Sequence, residues 1–177
     1  MSWKSSEDRY GRVALILHWL SAFLILGLML AGFRAAGTVD PLAKAAILRV
    51  HAPIGVLVLV LTIARIVWFL AADRKPVPVP MPGWQRFVSG AVHGLLYVAI
   101  IGLAGSGMGL MAMSGAGAVI FGSSPDPLPD FWNYAPRYGH AAFARLMGLL
   151  LAAHVGAALY HQFVRRDRLL ARMGIGR

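Results

Sequence analysis

Residues 140–163, HAAFARLMGLLLAAHVGAALYHQF, form a long apolar stretch holding three histidines, at positions 140, 154 and 161, and one arginine, at 145. A helix of this length spans the ~30 Å hydrocarbon core of a bilayer. His140 and His154 are fourteen residues apart, which on an α-helix is about 21 Å of rise and about 40° short of whole turns. They therefore share a face near opposite membrane boundaries. Ionisable groups inside a membrane are costly and usually functional. One helix so equipped offers an axial ligand to each of two stacked haems.

Three more stretches are long and apolar enough to cross: about 13–33, about 50–70 with Arg65 inside it, and about 89–111; the fourth run is about 141–163. Of the 177 residues, 58% are hydrophobic and 14% charged, whereas soluble domains carry about 25% charged residues. The fold class expected is all-α: an integral membrane four-helix bundle, one domain over 1–177. Residues 1–12 and the long run after them lack a cleavage site before a polar loop, and so predict a retained membrane anchor rather than a signal peptide. Cysteine is absent, which excludes disulfides, thiolate metal sites, iron–sulfur clusters and thiol nucleophiles.

The formal charge of +10 follows topology rather than nucleic-acid binding, which needs a basic face on a soluble fold. The N-terminal tail, the Pro-rich segment PVPVPMP (76–82) and the C-terminal tail hold Lys4, Arg9, Arg12, Arg74, Lys75, Arg86, Arg165, Arg166, Arg168, Arg172 and Arg177. The opposite loops hold Arg34, Lys44, Arg49 and Arg137. The positive-inside rule places the first set, and both termini, in the cytoplasm. The longer outer loop, 114–139, contains PDPLP and the aromatics Phe131, Trp132, Tyr134 and Tyr138, which suit a membrane–water interface.

Depth then sorts the histidines. His51 begins the second span at the outer side and His140 the fourth, so they are the pair expected at the outer level. His18, His93, His154 and His161 belong to the inner level, where His154 has His18 or His93 as partner and His161 is about 10 Å further along its stripe. Two facing imidazoles at one depth are what bis-histidine haem ligation requires. Zinc, which prefers four ligands at one point, fits this division poorly. Gly55, one turn from His51, and Gly148, between His140 and His154, leave gaps that a flat macrocycle needs.

Four motifs carry a family resemblance across almost the whole chain: R-x-x-x-x-x-HW (12–19), RVHAPIG (49–55), VHGLLY (92–97) and H-x13-H-x6-H with HVGAALYHQFVRRDRLLARM (154–173). With these the chain resembles the prokaryotic cytochrome b561 proteins, four-helix di-haem b membrane cytochromes related to the cytochrome b subunits of formate dehydrogenases and nickel–iron hydrogenases. The resemblance implies two haem b groups, the inner held by His18 and His154 and the outer by His51 and His140. It is also what selects His18 over His93. It implies an oxidoreductase of the inner membrane that oxidises periplasmic superoxide and reduces ubiquinone. The alternative is a cytochrome subunit serving a dehydrogenase, a hydrogenase or another periplasmic redox donor, without a small substrate of its own. Within that frame His161 and His93 are candidate quinone contacts and proton donors, Arg65 and Arg145 candidate propionate partners, and Arg49, Lys44 and Arg137 candidate attractors of superoxide. The partners expected are membrane lipid, ubiquinone and superoxide or a periplasmic donor, with no nucleic acid, the protein being a monomer or homodimer.

Overall fold

Inside hydrocarbon a segment must satisfy its own backbone hydrogen bonds, and long apolar runs do so as helices. The computed structural model describes residues 2–122, 124 and 126–176. Pro125 of the expected outer loop and Arg177 of the expected inner basic set lie outside them. The helices are α1 (Arg12–Gly37), α2 (Pro41–Val67), α3 (Gly83–Ser114), α4 (Ala116–Ile120), α5 (Ala135–Tyr160) and α6 (Leu169–Arg172). A π-helical turn continues α2 over Trp68–Ala72 and another continues α5 over His161–Arg165. No strand occurs among the described residues. Four spans are long and apolar enough to cross a membrane: Arg12–Gly37, Pro41–Ala72, Gly83–Ser114 and Ala135–Arg165. Along them Leu30, Leu70, Phe87 and Leu149 are largely exposed, a surface that lipid rather than water would cover.

The spans run further than the apolar stretches that announce them. α2 starts at Pro41 rather than near 50 because Asp40 caps it, its Oδ1 accepting the Leu42 N–H at 3.0 Å. Proline suits the first helical position, where its missing N–H has no partner to lose. α5 likewise begins at Ala135, and the expected loop 114–139 contains α4 and a 3-10 turn over Phe131–Asn133. Arg34, Lys44, Arg49 and Arg137 therefore sit on helices, not in loops. His51, expected to begin its helix, lies ten residues inside α2, and His140 lies five residues inside α5. The physical reason is that helix outlasts hydrocarbon: long cationic side chains keep their charge in the interface while their stems cover apolar surface.

The described chain divides into two compact units. The first comprises Met1–Ser21, Leu61–Val98 and Met147–Arg177. Its centre is built on Ala14, Thr62, Met147 and Leu150, all buried. Its tail is clasped: the Asp73 carboxylate accepts the Ser5 N–H at 3.0 Å, the Ser5 hydroxyl at 2.8 Å and the Trp68 indole N–H at 3.0 Å. Arg172 closes the other side by donating to the carbonyls of Asp8 (2.8 Å), Glu7 (3.1 Å) and Val77 (2.6 Å). Gly11 is obligatory in this clasp, since a Cβ there would stand 2.5 Å from the Trp3 carbonyl oxygen.

The second unit comprises Ala22–Val60 and Ala99–Leu146. Ala99, Ala116 and Ile120 are fully buried in it. α4 turns inward after Gly115, whose φ of +68° is open to glycine. Arg49 Nε donates to the Ile120 carbonyl at 2.7 Å, tying α2 to the end of α4. A run of small residues on α3 receives α5: a Cβ on Gly102 would meet the Phe143 ring at 2.5 Å, and one on Gly109 would touch Pro136 at 3.5 Å. Such close backbone approach is how helices associate where no hydrophobic force acts between them.

Candidate functional site

In the first unit α1 supplies His18, α3 His93 and α5 His154. The His18 and His154 ring centroids are 6.2 Å apart with planes tilted by 59°. His93 approaches His154 edge-on at 5.0 Å, and its Nδ1–H donates to the Ser89 carbonyl one turn back on its own helix at 2.7 Å. A metal–imidazole bond is about 2 Å and its nitrogen lies about 1 Å from the ring centroid, so two imidazoles sharing one ion stand about 6 Å apart. The His18–His154 spacing meets that requirement and the His93–His154 spacing is too short. His18 also packs against the Trp19 ring, centroids 5.0 Å apart.

In the second unit His51 and His140 face each other with centroids 6.3 Å apart and planes at 64°. Each is seated against a glycine: a Cβ on Gly32 would stand 3.3 Å from His51 Cε1, and one on Gly107 would stand 3.5 Å from His140 Cε1. His140 Nδ1 lies 3.1 Å from the Leu103 carbonyl and 3.2 Å from the Ser106 hydroxyl. A carbonyl only accepts, so Nδ1 carries the proton and Nε2 keeps its lone pair for a metal. His51 Nδ1 is buried and has no hydrogen-bond partner among the described residues. Beside it opens an apolar cleft of about 200 Å³ lined by Phe23, Gly27, Ala31, Val50 and Ile54 among others. Gly55 has no atom within 4 Å of where its Cβ would be.

These residues fit a bis-imidazole metal in both units. Among the described residues no three histidine, aspartate, glutamate or cysteine side chains converge on one point. Zinc would want such convergence; a planar macrocycle that fills four positions itself leaves the protein only two.

The cations are placed less uniformly. Arg65 lies near the end of α2 in the first unit, and its charge acts on both His18 and His154. Its Nε is buried without a partner among the described residues, so an anionic group there would find a ready donor. Arg145, on α5, is exposed. Arg137 stacks over Trp132, its guanidinium carbon 4.3 Å from the ring centroid, and Trp132 in turn contacts Tyr138.

His161 opens the π-helical turn of α5, packs edge-on against Tyr160 and pairs through Nδ1 with the Asp167 carboxylate. Asp167 is a partner of His161 that inspection of the apolar stretches misses. The available signal was a single acid inside the basic run RRDR, six residues after a histidine. Ser106 and the Leu103 carbonyl were missed as well, although the glycine- and serine-rich run 102–109 marks a face of close helix approach.

Four apolar spans, with facing histidines in each of two units, are the arrangement a membrane-embedded haem cytochrome requires. A family model of the prokaryotic cytochrome b561 proteins matches residues 9–176. Cytochrome b561 homolog 1 of Escherichia coli strain K12 is 30% identical over 94% of this chain and 97% of its own length. Cytochrome b562 of Cereibacter sphaeroides is 30% identical over 96% and 97%. A probable superoxide oxidase of Yersinia pestis, CybB, is 26% identical over 94% and 96%. The chain belongs to the prokaryotic cytochrome b561 family and is a membrane electron-transfer protein of the haem b class.

Proposed function

We propose that this protein is a di-haem superoxide:ubiquinone oxidoreductase of the bacterial inner membrane. The observation that carries the haem count is that two histidine pairs, at 6.2 and 6.3 Å, each have the spacing of imidazoles sharing one iron. His18 with His154, and His51 with His140, would hold the two haems, and α5 serves both. Haem iron held by two histidines supplies one-electron transfer, with burial and hydrogen bonding setting its potential. Arg65, with its unpartnered buried Nε, would bind a propionate at the His18–His154 pair, and Arg145 one at the His51–His140 pair.

The substrate assignment is supported by the likeness to the Yersinia protein, whose name gives superoxide oxidation. Two superoxide anions give up one electron each and leave as dioxygen; ubiquinone takes both electrons with two protons and leaves as ubiquinol. Arg49, Lys44 and Arg137 form the positive field that would draw the anion to the outer face. His161 and His93 are the inner-level imidazoles outside the two pairs and would contact the quinone and pass it protons. Pulsed superoxide with added ubiquinone tests this: the reduced α band should rise within the pulse and ubiquinol should form. Haems that stay oxidised under the pulse would instead point to a subunit fed by a dehydrogenase or another periplasmic donor.

A further inference from the structure

We infer that Asp167 is a positioning residue for proton delivery by His161, the two forming a carboxylate–imidazole dyad at the quinone-reducing end. This rests on the reading of His161 as the quinone contact. Three features of this helix end bring the pair together. The chain leaves α5 through a π-helical turn that begins at His161 itself. Arg166 and Arg168, on either side of Asp167, both adopt left-handed φ, 56° and 58°, without being glycine. The Asp167 N–H also donates to the His161 carbonyl at 3.3 Å, so backbone and side chain of Asp167 both return to the same residue. Non-glycine residues in this region are sparse and persist where the surroundings over-determine them, which concentrates them at functional sites. π-turns within helices are frequent at such sites too.

Two of the cations around the dyad, Arg165 and Arg172, are committed to structural contacts. Arg165, on the same turn, reaches Asp167 at 3.7 Å and donates to Gln85 Oε1 at 2.9 Å and the Pro80 carbonyl at 3.3 Å. From α6, Arg172 is committed to the tail carbonyls, and Arg168 is exposed. Asp167 Oδ2 is thus held between a fixed guanidinium and the His161 ring, and the ring is little exposed, 12%. With Nδ1 held by the carboxylate, Nε2 is the nitrogen left for a substrate.

The step balances simply. The imidazolium gives its Nε2 proton to a quinone oxygen as the quinone gains an electron, and becomes neutral with its remaining proton on Nδ1. The carboxylate stays ionised and holds that tautomer, as the aspartate of a serine-protease triad does. Water returns a proton to Nε2 before the second electron and proton complete the quinol.

The test uses the haem-loaded protein. Ubiquinol reduces the haems by the reverse reaction, followed by rapid-mixing absorbance, in the wild type, Asp167→Asn, Asp167→Glu and His161→Gln. Asp167→Asn should slow this reduction by about tenfold or more, with Asp167→Glu restoring part of the rate. Pyridine haemochrome content and reduction by dithionite should match the wild type in every variant. Proton NMR with 15N-labelled histidine supplies a readout apart from turnover: the downfield Nδ1 proton that His161→Gln abolishes should also be lost or moved upfield in Asp167→Asn. If the wild type and His161→Gln react normally with ubiquinol while Asp167→Asn also does, the dyad is overturned. If ubiquinol does not reduce the wild-type haems, the quinone reading falls and takes the dyad with it. If His161→Gln is slow and Asp167→Asn is not, only the role of Asp167 falls.

Discussion

A backbone carbonyl cannot donate, so the contact of His140 Nδ1 with Leu103 fixes which nitrogen of that ring is protonated. Such an outer hydrogen bond orients the ring and makes its other nitrogen a better ligand. His51 has no equivalent partner for Nδ1 among the described residues, and is held instead by its seat against Gly32. If each pair holds its own haem, removing one member should empty one site and spare the other. His140→Ala is expected to lose the haem of the second unit and His154→Ala that of the first, each variant keeping one haem by pyridine haemochrome. Full occupancy in either variant would refute the pairing. The histidines themselves were legible because six ionisable rings stand in or beside apolar runs, where each demands an explanation. Their hydrogen-bond partners were not: Leu103 and Ser106 are 37 and 34 residues from His140, and only the packed helices bring them to it.

At the level of helices, hydropathy located all four spans but not their ends. It registers hydrocarbon, whereas helix extent is decided by caps and prolines such as Asp40 and Pro41, which add about two and a half turns before residue 50. The N-terminal tail shows the same limit, since nothing periodic in residues 2–11 reveals that Asp73 will hold them. Burial pushes the Asp73 carboxyl up, but the hydrogen bonds from Ser5, Arg74 and Trp68 outweigh it and hold the pKa below its ordinary value of 3.8. A carboxylate whose folded pKa is depressed contributes stability that is present above the unfolded value and lost as pH falls through the folded one. The clasp should therefore be intact at neutral pH and release only below about pH 4. Hydrogen-exchange mass spectrometry of the tail peptide checks this: protection at Ser5 should survive to pH 5, vanish on further acidification, and be lacking at every pH in Asp73→Ala. Protection in Asp73→Ala equal to the wild type would show that Arg172 alone secures the tail.

For the whole molecule the decisive quantity is orientation, because the proposed reaction requires the periplasmic side for superoxide and the cytoplasmic side for proton uptake. Moving lysine or arginine across the membrane is disfavoured, and the count of cations over the short segments next to each span sets the topology. Finding Lys44 and Arg49 on α2 rather than in a loop leaves that bias intact, since the rule extends over the residues flanking a span. What changes is the outer connection between α1 and α2, now only Thr38, Val39 and Asp40, with Val39 92% exposed. The native chain has no cysteine, so a single introduced thiol reports its side without background. Val39→Cys should react with a membrane-impermeant thiol reagent in intact spheroplasts, whereas Ser2→Cys should react only after the membrane is opened. The tail is held by Asp73 and Arg172, so Ser2 reports the side on which that clasp lies. Labelling of Ser2→Cys in sealed spheroplasts, with Val39→Cys protected, would invert the molecule, put His51 and His140 on the cytoplasmic side, and remove the periplasmic superoxide reaction from consideration.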